Sequence, residues 1–433
     1  MIFLEIYVVQ RGDTVRSIAN RYGVSFQRIL SDNGLSASDT LVVGQALLIL
    51  FPDVVYTVRP GDTLSAIARN FGTTTGELRR NNPELILNPT IFPGQQLTIS
   101  FTEDKRRILT INGYAYPYIN RTTLRTTLPY LSRLTVFGYG FTEEGNLISI
   151  NDLPLIEAAL AENVSPFMLL SSITEDGNFS GERASLLFRN RDLQDRLLSA
   201  IIETMQRKGY QGLDIDFEYI PPEDSEGFLR FLENATNQLH AAGYPTHVDL
   251  APKTYADQPG LLYEAHDYGA IGAIVDTVLL MTYEWGYAYG PPLAVAPLNR
   301  VREVVEYAVT EIPRNKILMG IPNYGYNWTL PYEKGDRAEN IGVQNAVRLA
   351  ARYGAEIQFD GPSASPFFQY RDEQGRRHIV WFEDIRSIAA KYDLIDEFGL
   401  LGSGYWTIMR PFRQNWAFLG AAYNIRKGRP TIG

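Results

Sequence analysis

From residue 108 onward, apolar runs of strand length alternate with helical patterns, and this alternation restricts the fold more than any other feature. The runs are Ile108–Gly113, Leu134–Gly140, Ser165–Ser171, Gly212–Glu218, His247–Ala251, Thr277–Met281, Ile317–Pro322 and Leu401–Ile408. Between them fall helical patterns, including Leu193–Lys208, Glu223–Ala242 and Leu298–Glu311. Strands separated by helices pair in parallel, because each connection must cross the sheet. Eight such units predict an α/β protein built on a (β/α)8 TIM barrel. The stretch 328–371, before the last strand, is longer than a connection needs. Its helical pattern at Gln344–Tyr353 and short β-like runs at Ile357–Asp360 and Phe367–Arg371 predict a small α+β insertion.

Ahead of this region the chain repeats itself. Tyr7-Val8-Val9-Gln10-Arg11-Gly12-Asp13-Thr14 recurs as Tyr56-Thr57-Val58-Arg59-Pro60-Gly61-Asp62-Thr63. An amphipathic helix pattern follows each copy, with Val15, Ile18, Ala19 and Tyr22 in one and Leu64, Ile67, Ala68 and Phe71 in the other. Each copy then reaches a second helix, an Asn-rich turn, and a closing strand after Val43-Gly44-Gln45 or Pro93-Gly94-Gln95. The pattern is βααβ twice, over residues 6–50 and 55–100, with the large domain at 105–433. These residues resemble the LysM family of glycan-binding modules, the first copy departing with Val43 in place of proline. The resemblance implies a shallow groove between the Gly-Asp-Thr turn and the loop before the last strand, with Gly12, Asp13, Thr14, Gly61, Asp62 and Thr63 as glycan contacts. The same six residues also read as helix caps and turn formers. The connectors, Phe51–Val55 and Thr102–Arg107, are short and predict modules held near one another.

Composition narrows the function. The chain has 433 residues, no cysteine and a net charge of −9. Zero cysteine excludes disulfides, thiol nucleophiles and thiolate metal sites, and the negative balance disfavours nucleic acid. The opening segment carries Glu5 and no positive n-region, so it does not read as a signal peptide. No apolar stretch reaches the roughly 18–20 residues that span a bilayer, so no membrane partner is expected.

The chemistry concentrates in Gln211-Gly212-Leu213-Asp214-Ile215-Asp216-Phe217-Glu218-Tyr219. Alternate residues of a strand face opposite sides. Leu213, Ile215 and Phe217 are therefore expected against the helices, and Asp214, Asp216 and Glu218 inside the barrel. Stacked carboxyl groups raise one another's pKa and destabilise the fold, which argues for a functional origin. Glu218 is expected to end the strand at the C-terminal mouth, where barrel enzymes place their chemistry. A solvated edge or a divalent cation on Asp214 and Asp216 are the alternatives. No histidine lies near this strand in sequence, and none of His240, His247, His266 and His378 is assigned to catalysis or metal. No cofactor is expected.

This stretch resembles the D-G-x-D-x-D-x-E motif of glycoside hydrolase family 18, with Gln211 in place of the first aspartate. Met281-Thr282-Tyr283-Glu284 is similar to that family's M-x-Y-D, with Glu for Asp, and Gly404-Tyr405-Trp406 to its sugar-stacking tryptophan. The resemblance implies substrate-assisted hydrolysis with retention. Glu218 would be the acid, Asp216 the residue that orients the substrate acetamido group, Asp214 its proton-sharing partner and Tyr283 a donor to the acetamido oxygen. Trp406 would form the sugar floor. Glu284 either binds hydroxyls or lines the cleft; Trp285 is a rim candidate, and Asn323 and Tyr324 are candidate cleft residues.

Two such modules before this barrel, with Asp216-Phe217-Glu218-Tyr219-Ile220-Pro221-Pro222-Glu223-Asp224 and Met-Thr-Tyr-Glu-Trp-Gly, resemble the spore cortex-lytic N-acetylglucosaminidase subgroup. That implies peptidoglycan as partner and the spore as location. Alternatives are a chitinase acting on GlcNAc polymers and a non-catalytic glycan-binding spore-coat protein.

Overall fold

The computed structural model describes residues 3–102 and 105–432; Met1 and Ile2 of the opening segment, and Glu103 and Asp104 of the predicted connector, lie outside it. The eight runs form the strands of a parallel barrel: β1 Ile108–Ala115, β2 Arg133–Phe141, β3 Ser165–Ser171, β4 Gly212–Asp216, β5 Thr246–Leu250, β6 Thr277–Leu280, β7 Ile317–Pro322 and β8 Gly402–Trp406. Neighbours in sequence pair in parallel, and β8 pairs with β1 to close the ring. Closure removes exposed edges and forces side chains alternately outward and into the lumen.

Two kinds of core result. Leu213, Ile215 and Phe217 face outward, and Phe217 packs against Phe188, Phe228 and Phe231 of the covering helices. In the lumen a smaller apolar cluster joins Tyr114, Phe137, Leu169, Leu279, Met281 and Leu318 to the half-buried Trp406. Strand β4 ends at Asp216, so Glu218 lies two residues beyond it rather than at its end. Pro221 and Pro222 follow at once, and the backbone turns at Tyr219 into a short helical turn.

The insertion is a five-stranded antiparallel sheet, Gly325–Leu330, Glu339–Ile341, Gln358–Asp360, Ser365–Arg371 and Arg377–Trp381, with the helix Val343–Tyr353 beside it. It thus reaches beyond 328–371 on both sides. The helix Leu298–Glu311 has the bounds its periodicity predicts.

Both N-terminal modules pack on the barrel. Gln414 of the last helix donates to Asn33 Oδ1 and to the Ala46 carbonyl, both at 2.8 Å. Val42, Ala46, Leu48 and Leu50 of the first module join the main barrel core. The second module is tied by Arg79 to Glu162 through two bonds of 2.9 Å and by Tyr130 to the Arg80 carbonyl. Arg28 links the modules, donating to the Asn81 carbonyl at 2.7 Å. No helix of the described residues is long and apolar enough to cross a membrane.

Candidate active site

Alternation on β4 directs Asp214 and Asp216 into the lumen, both buried. Thr135 of β2 donates to Asp214 Oδ2 at 3.1 Å, while Asp214 Oδ1 and Asp216 Oδ1 are buried without a hydrogen-bond partner. Burial raises the Asp214 carboxyl to about 7, against the pull of the Tyr114 and Thr135 hydroxyls and the Arg133 guanidinium. Asp216 is pushed well above the carboxylate range by burial, then by the charges of Glu218 and Asp214. Glu218 is half-buried, and its carboxyl is raised by burial and by Glu284. A raised carboxyl holds its proton closer to neutral pH, as a general acid must.

The lumen holds more than the β4 carboxyls. On β5, His247 and Asp249 alternate with Val248 and Leu250 and point inward beside Asp214, with which His247 is in register. The Tyr114 hydroxyl donates to Asp249 Oδ1 at 2.6 Å. His247 Nδ1 lies 2.8 Å from the Thr277 hydroxyl, which also accepts from Arg133. Burial and the Arg133 charge drive the His247 pKa well down, so its imidazole is neutral. Atoms of Asp214, His247 and Asp249 lie within 4.8 Å of one another. No histidine lies near the acidic strand in sequence, yet β5 brings His247 beside it in space.

At the mouth, Tyr283 fills space left open by Gly320, where a Cβ would stand 2.8 Å from its ring. Burial and the charges of Asp249, Asp216 and Glu218 raise its hydroxyl well above 10, so it stays a donor. Trp406 meets Phe137 edge-on at 5.3 Å and Tyr114 at 5.8 Å, which fixes its ring. Glu284 accepts from Tyr324, and from Tyr326 at 3.1 and 3.2 Å. Both Glu284 and Tyr219 have positive φ, 68° and 55°, a strained backbone that clusters at functional sites. Trp285 is half-buried, its backbone N–H donating to the Val295 carbonyl. An open groove of about 1040 Å³ runs past Tyr219, bordered by Arg189, Glu223 and Leu261.

One expectation needs correction. Asn323 is buried, and its amide donates to the carbonyls of Thr407 and Arg410 at 3.1 and 2.8 Å. It braces the segment after Trp406 instead of facing the cleft. Tyr324, the other cleft candidate, is buried in the cluster that packs against Tyr283 and Trp406, and its hydroxyl donates to Glu284.

Comparison with known proteins places this geometry. Residues 123–410 match the family model described as glycosyl hydrolases family 18. The chain belongs to family 18. Residues 7–49 and 56–100 each match the LysM domain. A relative, the "Cortical fragment-lytic enzyme" of Bacillus subtilis (strain 168), is 41% identical over 98% of this chain and 99% of its own. The crystal structure of the Bacillus cereus spore cortex-lytic enzyme SleL superposes with a TM-score of 0.83 at 35% identity, covering 98% of this chain and 100% of that one. A chitinase from Chromobacterium violaceum ATCC 12472 gives a TM-score of 0.67 at 26% identity, over 72% of this chain and 98% of its own.

In the LysM modules of this family 18 chain, the side chains of the Gly-Asp-Thr turns act within the modules. Asp13 accepts from the Tyr7 hydroxyl and the Gln10 N–H, and Asp62 from Tyr56 and the Arg59 N–H. Thr14 and Thr63 cap their helices through the N–H groups of Ser17 and Ala66. Gly12 and Gly61 supply φ of 89° and 87°, which other residues rarely adopt. Of the two readings left open for these six residues, the structure displays the turn-and-cap one.

Asp249, His247 and Tyr326 are the residues that sequence reasoning missed. For the first two a signal existed, since His247-Val248-Asp249-Leu250 alternates as β4 does. Tyr326 reaches Glu284 only through the insertion sheet, and nothing local announces it.

Proposed function

We propose that this chain is a spore glycosidase that hydrolyses β-1,4 bonds of cortex peptidoglycan after N-acetylglucosamine, with retention, by substrate-assisted catalysis. The observation that carries this reading is the inward carboxyl series from Asp214 through Asp216 to Glu218, opening at the mouth among Tyr283, Glu284 and Trp406. Family 18 enzymes are an exception to the two-carboxylate scheme, because the substrate supplies the nucleophile.

In the proposed reaction, Glu218 protonates the glycosidic oxygen as the bond to the anomeric carbon breaks. The carbonyl oxygen of the sugar's own 2-acetamido group forms the new bond and gives an oxazolinium ion. Water then attacks the anomeric carbon from the leaving-group side and returns a proton to Glu218. Asp216 holds the acetamido N–H, Asp214 shares a proton with Asp216, and Tyr283 donates to the acetamido oxygen. Trp406 carries the sugar face, Trp285 borders it, and Glu284, aimed by Tyr324 and Tyr326, accepts from hydroxyls.

The choice of cortex glycan rests on the relatives, whose likeness extends over both modules and the barrel. A chitinase is the second reading, favoured by the likeness of the barrel region to the Chromobacterium enzyme. Digesting purified cortex fragments and chitin oligosaccharides side by side, with products identified by mass, separates them. Faster release of fragments ending in reducing N-acetylglucosamine from cortex supports the proposal. Equal or faster cutting of chitin supports the second reading, and no cutting of either leaves a glycan-binding coat protein.

A further inference from the structure

The two LysM modules are built alike, yet their surroundings differ. In each, the loop before the closing strand is held by the same three bonds. In the first module, Gly44 N–H donates to Val9 O, Gln45 N–H to Val42 O, and Val42 N–H to Gln45 Oε1. In the second, Gly94 N–H donates to Val58 O, Gln95 N–H to Phe92 O, and Phe92 N–H to Gln95 Oε1. Gly44 and Gly94 have φ of 84° and 88°. Internally, the loops are equivalent.

What stands outside them is not. In the first module the barrel insertion covers the loop: Ile357 N–H donates to the Val43 carbonyl at 2.9 Å. Arg386 reaches the Gly44 carbonyl at 3.2 Å, and a Cβ on Gly44 would lie 1.8 Å from the Ile357 carbonyl oxygen. Arg11, on the neighbouring turn, pairs with Glu356 at 3.3 Å. Val42 is 6% exposed. The Gly12 and Gly61 turns are equally open, but around Gly94, unlike Gly44, a Cβ would meet nothing within 4 Å, and Phe92, the counterpart of Val42, is 61% exposed. The second module docks through Arg79 and Arg80, on the helix Thr75–Asn81, and leaves this loop clear. Among the described residues, the exposed large apolar side chains of the two modules (Val55, Phe71, Leu87 and Phe92) all belong to the second.

From this asymmetry we infer that the modules divide their work: the second takes N-acetylglucosamine-containing glycan across the Gly61 turn and the Thr90–Gly94 loop, with Phe92 as stacking platform, while the first is a bracket whose matching loop is closed by the insertion. The occupant follows from the LysM match of residues 56–100 and from the platform itself, since an exposed aromatic face suits the apolar face of a pyranose. The inference deepens the proposed function by assigning wall binding to one module. It also gives the first module a mechanical task, because the bond from Arg28 to the Asn81 carbonyl fixes the second module relative to the barrel.

The test is adsorption of the full chain to insoluble peptidoglycan sacculi, with release of reducing sugar from soluble fragments measured in parallel. The matched exposed positions Thr40 and Thr90 allow the same block on each module, as Thr40→Trp and Thr90→Trp. Thr40 also borders a cavity of about 360 Å³ between the first module and the insertion, so its variant challenges any glycan site there. Phe92→Ala is expected to weaken adsorption about tenfold, as loss of a central aromatic anchor does, and Thr90→Trp to weaken it similarly by filling the groove. Thr40→Trp is expected to leave adsorption unchanged. Equal losses from Thr40→Trp and Thr90→Trp, or full adsorption by Phe92→Ala, would overturn the division. Activity on soluble fragments reads the barrel separately, so failure of the proposed chemistry is not confused with failure of this inference.

Discussion

The Tyr114 hydroxyl on β1 donates to Asp249 on β5 at 2.6 Å, a bond across the barrel beside the two carboxyls of β4. Asp249 is itself raised well above the carboxylate range by burial and by Asp214 and Asp216. The lumen therefore contains a fourth acid, on which the charges of the others act. Asp214→Asn removes one of those charges and should lower the Asp249 carboxyl pKa, whereas an Asp249 carboxyl signal that titrates as in the parent would contradict the coupling. Titration of that carboxyl in the variant is the check.

Glu284 offers a cleaner sign. Its charge is the second cause, after burial, of the raised Glu218 carboxyl. The proposed acid works only when protonated, so activity falls as pH rises through its pKa. Removing the neighbouring charge in Glu284→Gln lowers that pKa, and the basic limb of the profile should move to lower pH. A limb that stays in place would remove Glu284 from the electrostatics of Glu218.

Asp214 links the site to stability. Its carboxyl is raised from 3.8 to about 7, so the folded state holds its proton more tightly than the unfolded chain does. This contribution is complete below the unfolded value and is lost as pH rises through about 7. At pH 7.5 Asp214→Asn should therefore unfold a few degrees higher than the parent, at roughly 2–4 °C for each kcal/mol, while losing activity. Near pH 4 the advantage should shrink, which thermal unfolding at the two pH values measures.

Lys391 and Glu383 form a fully buried ion pair at 2.8 Å. Burial still lifts the Glu383 carboxyl despite its partner, so the pair compensates incompletely for its lost hydration. Lys391→Met alone should destabilise by about 3–5 kcal/mol, because it strands a buried carboxyl. The double variant Lys391→Met/Glu383→Leu should recover most of that. Denaturant unfolding of the three proteins decides it.

Asn323 should matter through its neighbours. Loss of its bonds to the part-buried Thr407 and Arg410 carbonyls in Asn323→Ala should cost about 1 kcal/mol each. Stability should fall, and kcat/KM should fall with it as the segment after Trp406 loosens. Unchanged kinetics would show that the brace does not position the tryptophan.

What could be read from the chain follows the range of the interactions. The eight strands were legible because each carries its own periodicity, and β4 stood out because apolar and acidic residues alternate in five strand positions and beyond. Alternation also fixed which side chains of β4 entered the lumen. Asp249 and His247 carry the same signal on a strand of equal length, but without a recognised motif beside it. Asn323 was misread because its surroundings come from the segment after β8, more than eighty residues away along the chain. The difference between the two modules was hidden for the same reason: Gly44 and Gly94 look alike until the insertion is folded against one of them.

The central claim, that Glu218 delivers the proton, is tested most directly by the rate at which Glu218→Gln releases reducing ends from soluble cortex fragments. The side chain keeps its size, so folding and wall adsorption should persist. The expected result is a loss on the order of 10² to 10⁴ in kcat. A variant that cuts at the parental rate would contradict the account.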